Sequence, residues 1–211
     1  MDGQVFANRR EAGTVLAAAL ERYKDRDDVV VLALPRGGVP VGYEVAKRLG
    51  APLDVFVVRK LGVPGHRELA MGAIAPGGVR VVNPSIVAWY GISQAAIEKT
   101  AHEELAELRR REEAYRGSRE PLAVSGKTVI LVDDGLATGS SMKAAIQALR
   151  ELDPARIVVA VPTGAAETCG AMRRLAEDVV CARSPEDFHA VGDWYADFSQ
   201  TTDREVRELL A

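Results

Sequence analysis

The sequence predicts an α/β fold, an open and mostly parallel sheet with helices on both faces, to which a small hood is added. Two nearly unbroken apolar runs, residues 29–34 and 129–132, have the length of strands, and each is followed by a polar turn and a pattern of helical periodicity. Such runs are typical of parallel strands that are covered on both faces. After residue 182 the alternation of strand and helix stops and aromatic residues become frequent, which sets a tail apart from the rest of the chain.

Length and composition agree with a folded globular domain. The chain has 211 residues, of which 47% are hydrophobic and 27% are charged. Its net charge of −3 gives no general attraction to nucleic acid or to an anionic membrane surface. We therefore expect neither as a partner, and any anion site has to be local.

The two cysteines, Cys169 and Cys181, are too few for a disulfide framework and lack the spacing of a metal site. They favour a reducing compartment, so we expect a cytoplasmic protein, with Cys169 packed on its helix. No apolar run approaches the roughly 20 residues that a membrane-spanning helix needs.

The first half of the chain begins with a helix and a βαβ unit. Residues 12–23 carry apolar side chains at helical spacing, and the strand of residues 29–34 follows. A turn then leads into a helix over residues 39–49, which Gly50 closes, and a second strand covers residues 53–58.

Less regular segments come next. Residues 59–68 are predicted as a polar loop, residues 69–75 and 79–82 as a hairpin, and the stretch from Ser93 to about 115 as a long helix. The second half returns to alternation, with strands at 127–132, 156–161 and 178–181 and helices at 139–152 and 165–176. This rhythm predicts a parallel sheet whose ligands lie beyond the carboxyl ends of the strands.

We expect two structural regions. The core covers residues 1–182, with a loop at about 59–71 and a helical insertion at about 84–117. Residues 183–211 form the tail, which packs on the core.

The segment from Val129 to Ser141 carries the chemistry. Its four apolar residues form a strand, and Asp133 and Asp134 follow where that strand leaves the sheet. A run of small and hydroxyl-bearing residues then opens the next helix: Ala137, Thr138, Gly139, Ser140 and Ser141. Free N–H groups at a helix N-terminus hold phosphate, whereas paired carboxylates suit hydroxyl groups or a divalent cation. A sugar phosphate satisfies both halves; the alternative is a turn cluster followed by an ordinary helix cap.

This segment resembles the signature of the type I phosphoribosyltransferases. The resemblance implies a phosphoribosyltransferase-like core in which Asp133 and Asp134 address the ribose hydroxyls of phosphoribosyl pyrophosphate (PRPP). It also implies that residues 137–141 hold the 5-phosphate. Relatives that act on 6-oxopurines usually have Asp where this chain has Ala137, which lowers the odds of a hypoxanthine or guanine substrate.

Two further segments match the family. The turn of Arg36, Gly37 and Gly38 corresponds to the loop that binds pyrophosphate, where a non-proline cis peptide is expected. Arg59 and Lys60 match a basic pair that faces the same group. The alternatives are an ordinary turn with a chance arginine, and a charged strand end for one member of the pair.

By the same resemblance, the loop at about 59–71, which contains His66, is mobile and closes over PRPP, and the tail of residues 183–211 forms a hood over the acceptor base. The tail residues expected at that base are Phe188, Val191, Trp194 and Tyr195. For any single aromatic residue among them, closing the edge of the core is the more ordinary role.

The expected function is Mg²⁺-dependent transfer of the 5-phosphoribosyl group from PRPP to a nitrogen acceptor, such as a nucleobase, with release of pyrophosphate. No direct protein ligand of Mg²⁺ is expected; the ion would be held by substrate and water near Asp133 and Asp134. The first alternative is a non-catalytic regulator that senses PRPP, and the second is another sugar-phosphate enzyme. A homodimer is possible.

Overall fold

The computed structural model describes residues 5–211, apart from the side chain of Arg67. In chain order its helices and strands are α1 (Arg9–Ala19), β1 (Val29–Ala33), α2 (Gly38–Leu49), β2 (Leu53–Val55), β3 (Arg59–Val63), β4 (His66–Ile74), β5 (Arg80–Val82), α3 (Pro84–Trp89), α4 (Gln94–Arg116), β6 (Thr128–Val132), α5 (Ser140–Arg150), β7 (Arg156–Thr163), α6 (Ala166–Met172), β8 (Asp178–Arg183) and α7 (Asp203–Leu210).

Five parallel strands form the main sheet, in the order β2-β1-β6-β7-β8. Successive residues of a strand point to opposite faces, and here both faces are covered. Val29 and Val31 pack with α1 and α2, whereas Val30 and Leu32 pack with α5 and α6. The predicted open parallel sheet with helices on both sides is confirmed.

A second, antiparallel sheet has the order β3-β4-β5. The predicted hairpin is present as β4 and β5, but the polar loop predicted at residues 59–68 is wrong, because β3 and the start of β4 occupy it. Leu61, Val63 and Met71 are buried against α4, so this small sheet has an apolar side of its own. Because glycine and charged residues are interspersed along residues 59–68, the apolar side of these strands could not be recognised from the sequence.

The segment before α1 meets the tail over the carboxyl edge of the main sheet. The N–H of Phe6 donates to the carbonyl of Trp194, and the N–H of Ala196 donates to the carbonyl of Phe6, both at 2.8 Å. The ring of Tyr195 packs on Phe6 at 5.6 Å between centroids. The tail that was predicted as a hood is therefore joined to the N-terminal segment by backbone pairing.

Cys169 and Cys181 form a disulfide. The expectation of reduced cysteines was wrong for this pair, because the packing of α6 beside β8 brings the two Cα atoms to 6.6 Å. That approach depends on tertiary packing, which a count of cysteines does not contain. Within residues 5–211, no helix is both long and apolar enough to cross a membrane.

Candidate active site

Two adjacent carboxylates lie at the carboxyl end of β6, near the middle of the main sheet. The backbone N–H of Asp134 donates to Oδ1 of Asp133 at 2.9 Å, so the two side chains share one turn. Burial raises the pKa of Asp133 well above its usual value, and the neighbouring charge of Asp134 raises it further. Burial also raises the pKa of Asp134. The fold thus holds an acidic pair where ionisation is unfavourable unless a cation or hydroxyl groups compensate it.

Arg9 supplies part of that compensation. Its Nε lies 2.9 Å from Oδ2 of Asp134, and the side chains are only 11% and 16% exposed. The hydrogen bond and the charge of Arg9 both lower the pKa of Asp134, against the effect of burial. Sequence reasoning missed Arg9, because nothing in the order of residues 5–12 indicates that α1 begins beside β6.

Residues 137–141, the predicted phosphate-binding segment that we call the cradle, follow the acidic pair and lead into α5. Gly139 has φ +69° and leads directly into α5, so its N–H and that of Ser141 belong to the unpaired first turn. Neither N–H donates a hydrogen bond to any residue that the structure describes. The hydroxyl of Thr168 donates to the carbonyl of Ala137 at 2.7 Å and so holds the turn in place.

Gly139 is also required by space. A Cβ atom at this position would lie 2.8 Å from Cγ2 of Thr168 and 2.9 Å from Cε of Met172. The remaining predicted cradle residues, Ala137, Thr138, Ser140 and Ser141, are exposed and open to solvent. The cradle therefore has free donors on its outer side and packed side chains behind it.

The turn after β1 lies against the acidic pair. The peptide bond between Pro35 and Arg36 is cis, as the family resemblance led us to expect. A Cβ atom on Gly37 would lie 2.0 Å from Oδ2 of Asp134, and one on Gly38 would lie 2.8 Å from the carbonyl of Val132. Only glycine allows this approach, which brings the turn of Gly37 and Gly38 against the acidic pair.

The predicted basic side chains point elsewhere. Arg36 contacts Asp203 of α7 at 3.4 Å and lines a 170 Å³ pocket with Arg110, Arg111 and Tyr115. Arg59 is paired with Glu104 of α4 at 2.7 Å. The structure therefore does not bring the guanidinium groups of Arg36 and Arg59 to the acidic pair.

Lys60 is placed differently. It lines a 520 Å³ cleft between the antiparallel sheet and α5, together with Ser140 of the cradle and Lys143. This cleft borders the cradle. Lys143 is a second cation there that sequence reasoning missed, although its place one turn into α5 could have suggested it.

Two of the four predicted hood residues contact the segment around the acidic pair. The hydroxyl of Tyr195 donates to the backbone carbonyl of Asp134 at 2.6 Å. Val191 packs so tightly on Gly135 that a Cβ there would lie 2.5 Å from its Cγ1. Phe188 and Trp194 stack on each other instead, with 6.5 Å between ring centroids.

No group of three or more His, Cys, Asp or Glu side chains that could hold a metal ion occurs within the described residues. Two carboxylates alone do suit Mg²⁺ that is bound mainly through substrate oxygens and water. The acidic pair thus fits the ion in that form.

Comparison with known proteins identifies relatives along nearly the whole chain. A profile of the phosphoribosyl transferase domain matches residues 3–199. The Mycobacterium tuberculosis (strain H37Rv) protein named "Putative phosphoribosyl transferase Rv0571c" is 46% identical over 207 residues, which are 98% of this chain and 46% of that protein. The chain thus spans about half the length of the curated relatives that it matches first.

Two further similarities cover different lengths. The crystal structure of TT1426 from Thermus thermophilus has a TM-score of 0.88 and 44% identity, with 98% of each chain covered. A "Bifunctional protein PyrR" from Chloroflexus aurantiacus is 33% identical over 129 residues, which are 60% of this chain and 65% of that protein.

Proposed function

The chain belongs to the phosphoribosyl transferase domain family, and from that membership we propose that it transfers the 5-phosphoribosyl group of PRPP to a nitrogen acceptor. In this reaction the bond from ribose C1 to the pyrophosphate oxygen breaks, and its electron pair leaves with that oxygen. A bond from C1 to the acceptor nitrogen forms, and that nitrogen loses its proton. The observation that carries the proposal is that the acidic pair, the cradle and the turn of Gly37 and Gly38, called the glycine turn, lie together at one edge of the sheet.

The acidic pair suits the ribose. Carboxylates accept hydrogen bonds from the neighbouring hydroxyl groups and stabilise positive charge as it develops on the sugar ring. Because Asp133 is half-buried, its charge is partly shielded from water, and the same desolvation raises its pKa. Such a group contributes most when a cationic transition state forms beside it.

The cradle suits the 5-phosphate. The unpaired N–H groups of Gly139 and Ser141 and the exposed hydroxyl of Thr138 offer donors to an anion at the N-terminus of α5. Thr168 and Met172 close the back of the turn. The phosphate would therefore bind on the outer side, within reach of the cleft that contains Lys60 and Lys143.

The pyrophosphate would bind at the glycine turn through backbone groups. The N–H of Gly38 already donates to the carbonyl of Leu34 at 3.0 Å, whereas that of Gly37 has no partner in the described part of the chain. Arg36 would reach the pyrophosphate only by leaving Asp203. We therefore assign the first contact to the backbone at Gly37 and not to the side chain of Arg36.

Mg²⁺, when bound with PRPP, supplies positive charge that offsets the charge of the leaving pyrophosphate. We propose that substrate oxygens and water hold it near Asp133 and Asp134. The protein side chains bind and orient the ribose and the two phosphate groups.

A panel of nucleobases and related heterocycles tests the proposal. With PRPP and Mg²⁺ present, we expect pyrophosphate release with one class of acceptor, and none after chelation of the metal. The Asp133→Asn/Asp134→Asn double variant is the matched control, and its pyrophosphate release should fall by about a hundredfold or more. Tight binding of PRPP without release for any acceptor would instead favour a protein that senses PRPP, and would contradict the transfer.

A further inference from the structure

We propose that Arg9 is a positioning residue for the acidic pair: it holds the carboxylate of Asp134 in place and offsets one of the two negative charges that PRPP must approach. The proposal rests on the proposed function, because it assigns a further residue to the same site. Arg9 comes from the N-terminal segment, far in sequence from the signature at residues 129–141.

Arg9 is held from three sides. Its Nε donates to Oδ2 of Asp134 at 2.9 Å, and its Nη1 donates to the carbonyl of Ser199 at 2.6 Å. The guanidinium carbon lies 4.0 Å from the centre of the Phe198 ring, within the range of a cation–π contact. Ser199 and Phe198 both belong to the tail, so the hood fixes Arg9 independently of Asp134.

This anchoring leaves room for a substrate. A carboxylate has about four lone-pair positions, and Arg9 uses one of those on Oδ2. Oδ1 of Asp134 accepts no hydrogen bond from any described residue. A ribose hydroxyl can therefore bind at Oδ1 while Arg9 stays in place.

Arg9 also reduces the negative charge of the acidic pair. PRPP carries several negative charges, and two uncompensated carboxylates beside the cradle would repel it. With Arg9 included, the net charge of an ionised pair falls from two negative charges to one. The carboxylate keeps its ability to accept hydroxyl groups, while the repulsion of phosphate is reduced.

Binding of Mg²⁺–PRPP, measured by calorimetry, tests the inference with three variants. Arg9→Met keeps an apolar stem over Phe198 but loses the charge, and we expect the dissociation constant to rise about tenfold or more, as for loss of a charge-assisted hydrogen bond. Arg9→Lys keeps the charge and should recover a large part of the affinity. Arg10→Met is the matched control, because Arg10 is the next residue of α1, is 52% exposed and pairs with Glu44 instead; we expect no change. Equal loss in Arg9→Met and Arg9→Lys, or no loss in either, would overturn the inference.

A second measurement needs no ligand. A ¹³C NMR titration of the Asp134 carboxyl group in the free protein should show a higher pKa in Arg9→Met than in the wild-type protein, and no change in Arg10→Met. An unchanged pKa in Arg9→Met would overturn the role of Arg9 whatever the substrate is. If the pKa rises but the wild-type protein does not bind PRPP, the proposed function fails while the contact of Arg9 with Asp134 stands.

Discussion

At the scale of single residues, Asp133 and Asp134 are a destabilising feature that the fold retains. Burial raises the pKa of both groups, and within the described residues only Arg9 forms an ion pair with either of them. Residues of this kind occur where a protein binds or transforms a ligand more often than where it needs stability. Their contribution to function is measured by activity, and their effect on stability is measured by the free energy of unfolding.

The double variant Asp133→Asn/Asp134→Asn separates these two effects. We expect pyrophosphate release to fall by about a hundredfold or more, because the charges that stabilise the ribose are gone. Since burial opposes ionisation of both groups, the free energy of unfolding at neutral pH should not decrease. A steady-state assay and urea unfolding check both statements, and a fully active double variant would contradict the first.

Gly139 has a natural control in Gly126. Both have φ +69°, but a Cβ at Gly126 would meet nothing within 4 Å, whereas one at Gly139 meets Thr168 and Met172. Alanine at either position should lose about 1–2 kcal/mol of stability from the left-handed backbone alone. Only Gly139→Ala should also weaken PRPP binding. Equal affinity in both variants would contradict the placement of the cradle.

At the scale of elements, a buried ion pair fixes α4 to the main sheet. Arg116, at the end of α4, donates from Nε to both carboxylate oxygens of Asp54 in β2, at 3.0 and 3.1 Å, and the two side chains are 6% and 5% exposed. Asp54 also accepts from the N–H of Leu122, so one carboxylate ties three segments together. The antiparallel sheet packs on α4 and borders the cleft beside the cradle. The ion pair of Arg116 and Asp54 therefore indirectly positions Lys60, which belongs to that sheet.

Removal of one partner should be strongly destabilising. Arg116→Met leaves the charge of Asp54 buried without its cation, and we expect a loss of about 3–5 kcal/mol. Arg110→Met, on the same helix, removes a 65% exposed guanidinium that pairs with Glu107, and we expect about 1 kcal/mol or less. Chemical unfolding of both variants measures the difference. A similar loss in the two would contradict the importance of the buried pair.

The predictable elements were those with one strong local signal. Apolar runs predicted β1 and β6, helical periodicity predicted α1 and α4, and Gly50 in the left-handed conformation ends α2 as expected. The signature predicted that the acidic pair and residues 137–141 lie at the carboxyl end of β6 and the start of α5, and they do. The six-residue α3 lies inside the predicted helical insertion, whereas α7, which follows the irregular tail, was not predicted as a helix.

The contacts that could not be predicted join distant parts of the chain. Arg9 with Asp134, Arg36 with Asp203 and Arg59 with Glu104 depend on how helices pack, and a single sequence does not contain that information. The disulfide has the same origin. Basic residues were therefore assigned to the pyrophosphate by position in the chain, while the structure directs two of them to neighbouring helices.

At the scale of the whole molecule, the acidic pair should appear in the dependence of stability on pH. A carboxyl group with a raised pKa in the folded state stabilises the fold fully below its unfolded pKa of about 3.9, and this contribution is lost as pH rises through the folded value. The wild-type protein should therefore lose stability, relative to the double asparagine variant, as pH rises from about 4 towards neutrality. Urea unfolding at several pH values measures this difference. Exposed Asp28 and Glu107, whose pKa values are lowered to about 2 by their arginine partners, act in the opposite direction in both proteins and cancel. Parallel stability curves for the two proteins would contradict the burial of the pair.

The most direct measurement is a calorimetric titration of the wild-type protein, Asp133→Asn/Asp134→Asn and Gly139→Ala with Mg²⁺–PRPP. If the acidic pair binds the ribose and the cradle binds the 5-phosphate of one molecule, the wild-type protein binds one PRPP per chain, and each variant loses affinity while remaining folded. Undiminished binding in both variants, or no binding to the wild-type protein, would contradict the account.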